Sequence, residues 1–262
     1  MLRIRNETFV GLFQEVIDPG IQLLRARYGT WVLLRDPRTS VEFIPARDSS
    51  GLPAFPPSIS SGRVRELLDM PRPLIGMDKT WGESFLSIPL PLRDWTAGLL
   101  YAAEKEGAYR FEGPDIFLGQ ILVRIMDELV CGNKTTIEIR RCIRFMHEML
   151  NESSVTCITD AARTIVFWSR GAQNFFGYTE REALGQSIVS LLVPPEQQPK
   201  FKRGYYPGVH GAIVRGNIAR FSSDRLHKDG RRIYASTIIH PFCYEITGIA
   251  VCVCFIRFEP AA

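Results

Sequence analysis

Apolar positions near the start of the chain recur with a helical period and then give way to runs and alternations. Phe9, Leu12, Phe13, Val16 and Ile17 fall on one face of a helix over about residues 6–17. Asp18-Pro19 reads as a cap followed by proline at the first helical position, opening a second helix to about Arg27. "TWVLLRD" and "SVEFIPA" are two strands joined by a turn at Pro37-Arg38, a hairpin. "RDSSGLPAFPPSISSG", dense in Ser, Pro and Gly, is a loop, and a short helix follows at about Arg63–Asp69. The apolar strands "ESFLSIPLPL" and "TAGLLYAAE" join at Arg93-Asp94, and Pro89 and Pro91 place the first of them at a sheet edge or irregularity. Pro114-Asp115 opens a long helix to about Val130, and after Gly132-Asn133 a further helix runs from Thr135 to Leu150.

Beyond Glu152 the pattern starts again. "SVTCITD" and "TIVFWS" are strands, a helical middle follows, and "NIARFSSDRLHKDG", "RRIYASTIIHPF" and "GIAVCVCFIRF" are long strands with turns at Lys228-Asp229-Gly230 and near Thr247-Gly248. The fold class this predicts is α+β, with two domains, each a central antiparallel sheet with helices, joined by a helical linker. The boundaries are 1–131, a linker at 132–153, and 154–262.

The stretch "IVFWSRGAQNFFGYTEREALGQSI" is the most tightly punctuated in the chain. Gly177 can end a helix with a left-handed residue, Thr179 with Glu182 forms a capping box for the next, and Gly185 ends that one within two turns. Two short helices lying over one face of a sheet leave a cavity, which Phe167, Phe175, Phe176 and Tyr178 are placed to line or to fill.

Residues 155–258 resemble a PAS domain. The resemblance is carried by that stretch, by "LLVPPE", by "HKDGRRIYASTIIHP" and by the closing strand "IAVCVCFIRF". Ser169 stands where such domains often carry Asn, removing an amide that can hold a ligand or brace a helix. No Cys lies between Ser169 and Gly204, which argues against a flavin–cysteine adduct. In haem-binding members an axial histidine sits in this region, and His210 is the residue here, although Pro207, Gly208 and Gly211 argue against a helix around it. Arg220 falls near an arginine that contacts bound gas in that subfamily; an exposed strand arginine is the alternative. The cofactor is thus left unknown.

Residues 6–130 resemble a GAF domain through "SFLSIPLPL", "AGLLYAA" and "YRFEGPDIFLGQIL", where Phe111 and Asp115 lead into the closing helix. The cyclic-nucleotide signature of that family is not assembled, and the absence of Cys from 1 to 130 excludes bilin attachment and thiol chemistry there.

Composition narrows the function. A hydrophobic content of 45% is that of a globular protein, and a net charge of +4 with no basic run argues against a nucleic-acid partner. The longest apolar run, "IAVCVCFI", is far short of the roughly 20 residues that span a bilayer, so no membrane role is expected. Six scattered cysteines read as reduced, buried thiols of a cytoplasmic protein, and Cys252 and Cys254 share one strand face. No nucleophile elbow, phosphate loop or carboxylate cluster appears, so no enzymatic or metal-binding role is expected. What the two resemblances imply is a sensory and regulatory protein that binds a small-molecule ligand or cofactor and alters a dimer or partner interface. The alternative is a ligandless protein–protein interaction module. Helices 115–130 and 135–150 carry apolar stripes at coiled-coil spacing, Leu118, Leu122, Ile125 and Leu129, then Ile139, Ile143, Met146 and Leu150, which predict a homodimer seam.

Overall fold

A computed structural model of the protein describes residues 6–34, 41–48, 50–56, 59, 61–78, 82–90, 97–107, 110–131, 136–151, 153–202, 211–213, 215, 217–246 and 249–260. The expected turns at Pro37-Arg38, Arg93-Asp94 and Thr247-Gly248, the break at Gly132-Asn133, and His210 lie outside the described residues. The chain divides into two compact units, Met1–Met146 and His147–Ala262.

In the first unit, α1 (Asn6–Leu23) leads into β1 (Ala26–Leu34) and β2 (Glu42–Pro45). Then come α2 (Ser61–Leu68), β3 (Leu74–Met77), β4 (Ser84–Pro89), β5 (Ala97–Lys105) and α3 (Gly113–Cys131). The sheet is antiparallel with the order β2-β1-β5-β4-β3. Two expectations are corrected. The two opening helices are one, with Pro19 inside it. The Asp18 carboxylate does not cap a new helix but accepts from the Gln14 amide and from the Arg47 backbone. Packing carries the helix across the proline: Leu122 sits where a side chain on Gly20 would be, and Ile21 fills the space over Gly29. Nor is β4 at an edge; β3 covers it, and Pro89 is merely its last residue. β3 escaped notice because it has four residues, all at least partly exposed, one of them a glycine against which the Phe85 ring lies.

α4 (Thr136–Leu150) crosses the boundary between the units. The part of the expected dimer seam that lies on α3 is not a free surface. Leu118, Leu122 and Ile125 are buried, with α3 packed on α1 and β4, and Ile143 and Met146 of α4 are buried as well. A regular apolar stripe on a helix serves its own core as readily as a partner's. The side chains of Leu129 and Ile139 lie outside the described residues.

In the second unit β6 (Thr156–Thr159) and β7 (Ile165–Trp168) are followed by short helices. These are α5 (Arg170–Phe176), α6 (Glu180–Ala183), α7 (Ile188–Leu192) and α8 (Gln198–Lys202). β8 (Ala219–Leu226), β9 (Arg232–Ile246) and β10 (Ile249–Pro260) complete an antiparallel sheet ordered β7-β6-β10-β9-β8. Numbered within each unit, the two orders are the same: the last strand lies at the centre, beside the first. Each sheet also holds a fully buried tryptophan whose indole N–H donates to a backbone carbonyl, Trp31 to Phe13 and Trp168 to Tyr178. No helix among the described residues is long and apolar enough to cross a membrane.

Candidate functional site

The capping chemistry expected between Ser169 and Gly185 sets the short helices of the second unit in place. Gly177 closes α5 in the left-handed region at φ 81°, and its N–H bonds to the Gln173 carbonyl. Thr179 and Glu182 make the reciprocal box: the Thr179 N–H donates to the Glu182 carboxylate at 2.9 Å and the Glu182 N–H to the Thr179 hydroxyl at 3.4 Å. The Lys228 backbone N–H donates to the Phe176 carbonyl and its ammonium reaches Glu182 at 2.5 Å, so the β8–β9 turn is strapped to these caps. Hydrogen bonds from Lys228 and from the Thr179 backbone hold the Glu182 carboxyl down at about 2.

Ser169 contradicts the reading that the missing asparagine removes a brace. Its hydroxyl accepts from the N–H groups of Ala172 and Thr156, at 3.1 and 3.0 Å, and donates to the Ser154 carbonyl at 2.8 Å. One small side chain therefore caps α5 and ties it to β6.

Of the expected pocket residues, Phe176 is fully buried, with the rings of Phe175, Phe258 and Trp168 at 4.9, 5.0 and 5.8 Å. It fills the core rather than lining an opening. Phe175 and Tyr178 are half-buried against the same cluster. Phe167 is separated from them. β7 pairs Trp168 with Cys157 and Phe167 with Ile158, and Trp168 and Cys157 belong to the core under the helices. Alternate strand residues face opposite sides, so Phe167 points to the other face of the sheet. Arg220 is exposed on β8, and His210 is not among the described residues.

The residue that sequence reasoning missed is Arg225. Along β8, Ala219, Phe221, Ser223 and Arg225 share a parity, and Ala219 and Phe221 pack into the inner core. Arg225 is 4% exposed. Its guanidinium donates to the Thr237 hydroxyl at 2.9 Å and lies 5.3, 5.4 and 5.8 Å from the ring centres of Phe201, Phe221 and Phe258. The signal was the parity of "ARFSSDRL": Arg220 falls out of phase with the apolar residues and Arg225 in phase. A desolvated guanidinium walled by three rings is held by cation–π attraction and gives a polar point inside an apolar face. On the same face are two thiols: burial pushes Cys254 up to about 11 and raises Cys157 further.

In the first unit the region under α2 is likewise aromatic. Phe85 and Tyr101 stack at 5.9 Å, and the Arg63 guanidinium stands 5.2 Å above Phe85. The Phe111-to-Asp115 entry into α3 has a plain structural cause. Asp115 accepts from the Glu112 N–H and from the Lys105 ammonium, which also donates to the Leu24 carbonyl and lies over the Phe111 ring.

Comparison with known proteins places the second unit. The family model of the PAS fold matches residues 144–255, so this part of the chain is a PAS domain. No curated protein matches the chain. Among solved structures, the PAS domain of a protein from Colwellia psychrerythraea is 21% identical. That match covers 47% of this chain and 98% of the other, with a TM-score of 0.35. The PAS domain of the RpfR quorum-sensing receptor of Cronobacter turicensis, in complex with C12:0, is 18% identical over 40% of this chain and 91% of the other, with a TM-score of 0.29. The PAS domain of a nitrogen regulation protein of Vibrio parahaemolyticus is 15% identical over 42% and 92%, with a TM-score of 0.30.

Proposed function

We propose that the chain is a sensory and regulatory protein, not an enzyme. In this reading its PAS domain holds a small-molecule ligand on the inner face of the second sheet and passes its state to a signalling partner, and the first unit is a GAF-like domain. The observation that carries the reading is Arg225, a charged side chain in the core of a PAS fold, steadied by Thr237 and faced by Phe201, Phe221 and Phe258. Ligand sites are mostly apolar with a few placed polar groups that set orientation, and this arrangement has that character. In the second reading, a ligandless interaction module, the aromatic cluster at Phe176 is simply a filled core.

Native mass spectrometry of the intact chain, with an absorption spectrum, tests the two. The sensor reading expects a bound species in the wild type that is lost in Arg225→Met while the fold, read by circular dichroism, persists. A wild type of bare polypeptide mass that never acquires a ligand supports the interaction module instead.

A further inference from the structure

Two free thiols share the inner face of the second sheet. Cys243 is disulfide-bonded, which corrects the expectation of uniformly reduced cysteines, whereas Cys142, Cys157 and Cys254 are free. β6 and β10 are antiparallel neighbours, with Cys157 opposite Ile256 and Cys254 opposite Thr159. The two thiols therefore stand on a diagonal, two residues apart along adjacent strands and on one face. Cys157 belongs to the buried core of the domain, and Cys254 packs against that core while keeping part of its surface exposed. Cys157 is close enough to Cys254 and to Arg225 for their charges to act on it, and Cys254 is likewise close to Arg163.

The diagonal limits what such a pair can do. Diagonal neighbours stand about 7–8 Å apart, their Cβ atoms somewhat less, whereas a disulfide draws its Cβ atoms to about 3.8 Å. A sulfur–sulfur bond would have to move a strand. A metal ion between two thiolates adds two bonds of about 2.3 Å each and so sets the sulfurs about 4.6 Å apart, against about 2 Å in a disulfide. That span suits the diagonal. Thiolates select soft ions, copper(I) among them, and copper(I) is satisfied by two ligands in line. Among the described residues no group of three or more His, Cys, Asp and Glu could hold a metal ion, so an ion that demands four ligands finds no set among them.

We propose that Cys157 and Cys254 form a two-coordinate site for a soft monovalent metal ion, copper(I). This departs from the sequence expectation of no metal-binding role. On binding, each thiol gives its proton to water, two sulfur–metal bonds form, and no electron changes hands. Two thiolates and one monovalent cation leave one net negative charge. The buried guanidinium of Arg225, whose charge already acts on Cys157, supplies the countercharge from the same face. Cys254, the partly exposed member, is the way in. The site does not depend on the small-molecule reading, since a chain that carries no organic ligand can still take up the metal.

The test uses the whole chain, unreduced so that Cys243 stays in its bond. Titration without oxygen against the bicinchoninate complex of copper(I), with ascorbate to keep the metal reduced, is expected to move one copper ion to each chain. X-ray absorption of the loaded chain is expected to show two sulfur neighbours. Cys157→Ala and Cys254→Ser are each expected to abolish the transfer while circular dichroism shows the fold retained, and Cys142→Ser to leave it unchanged. In the folded wild type, where no variant is needed, copper is expected to slow alkylation of Cys254 about tenfold or more. No transfer, transfer that survives loss of either thiol, more than two sulfur neighbours, or alkylation of Cys254 unaffected by copper overturns the proposal.

Discussion

Ser169 makes three hydrogen bonds from one hydroxyl, two accepted and one donated, and is almost wholly buried while making them. Removing it leaves a helix N-terminus uncapped and two further backbone groups, the Thr156 N–H and the Ser154 carbonyl, short of a partner. Ser169→Ala is expected to destabilise the PAS domain by about 1–3 kcal/mol, read as a lower denaturation midpoint in urea with an unchanged slope. Its role was hard to see in the sequence because the partners, Ser154 and Thr156, lie more than ten positions earlier, at and just before the start of β6. The residues of the capping box were legible because both ends of each bond lie within four positions. Arg225 shows the intermediate case. Strand parity alone identifies it as inward, but only the fold brings Phe201, Phe221 and Phe258 around it.

At the level of elements, the strap between α5, α6 and the β8–β9 turn joins pieces about fifty residues apart through Lys228. A carboxyl held at about 2 in the folded chain, against an ordinary value of 4.5, contributes stability that is present above the ordinary value. That contribution is lost as the pH falls through the window from 4.5 to about 2. Glu182 is expected to titrate with a midpoint near 2 by carboxyl NMR, and in Lys228→Met the midpoint is expected to rise toward the ordinary value. No rise in the variant would assign the shift to the Thr179 bonds instead. Strands and helices with long, single-minded patterns were legible: β1, β4 and β5, then β8, β9 and β10, all lie where the apolar runs place them. β3 was not, being four residues long with a glycine in it, and Pro19 misled because local chemistry favoured a new helix where packing against Leu122 continued the old one.

On the scale of the whole molecule, the stripes on α3 and α4 test how the chain associates. Ile143→Glu with Met146→Glu places two charges at buried positions. It is expected to cost about 3 kcal/mol or more in unfolding free energy. Light scattering before unfolding is expected to give the same mass as the wild type. A mass that halves with no change in the denaturation midpoint would return these residues to a dimer seam. The shared strand order carries a separate consequence, for synthesis. In both sheets the strand that completes the unit, β5 or β10, is the central one, bonded to the first strand on one side and its predecessor on the other. While a nascent chain is still short of that strand, the first hairpin has no sheet to join, since the pairing it needs spans most of the unit. The two hairpins of each unit are therefore expected to be joined into one sheet only after that strand has been made. Loss of a few residues around Phe255–Phe258 would take out the middle of a sheet rather than trim its border.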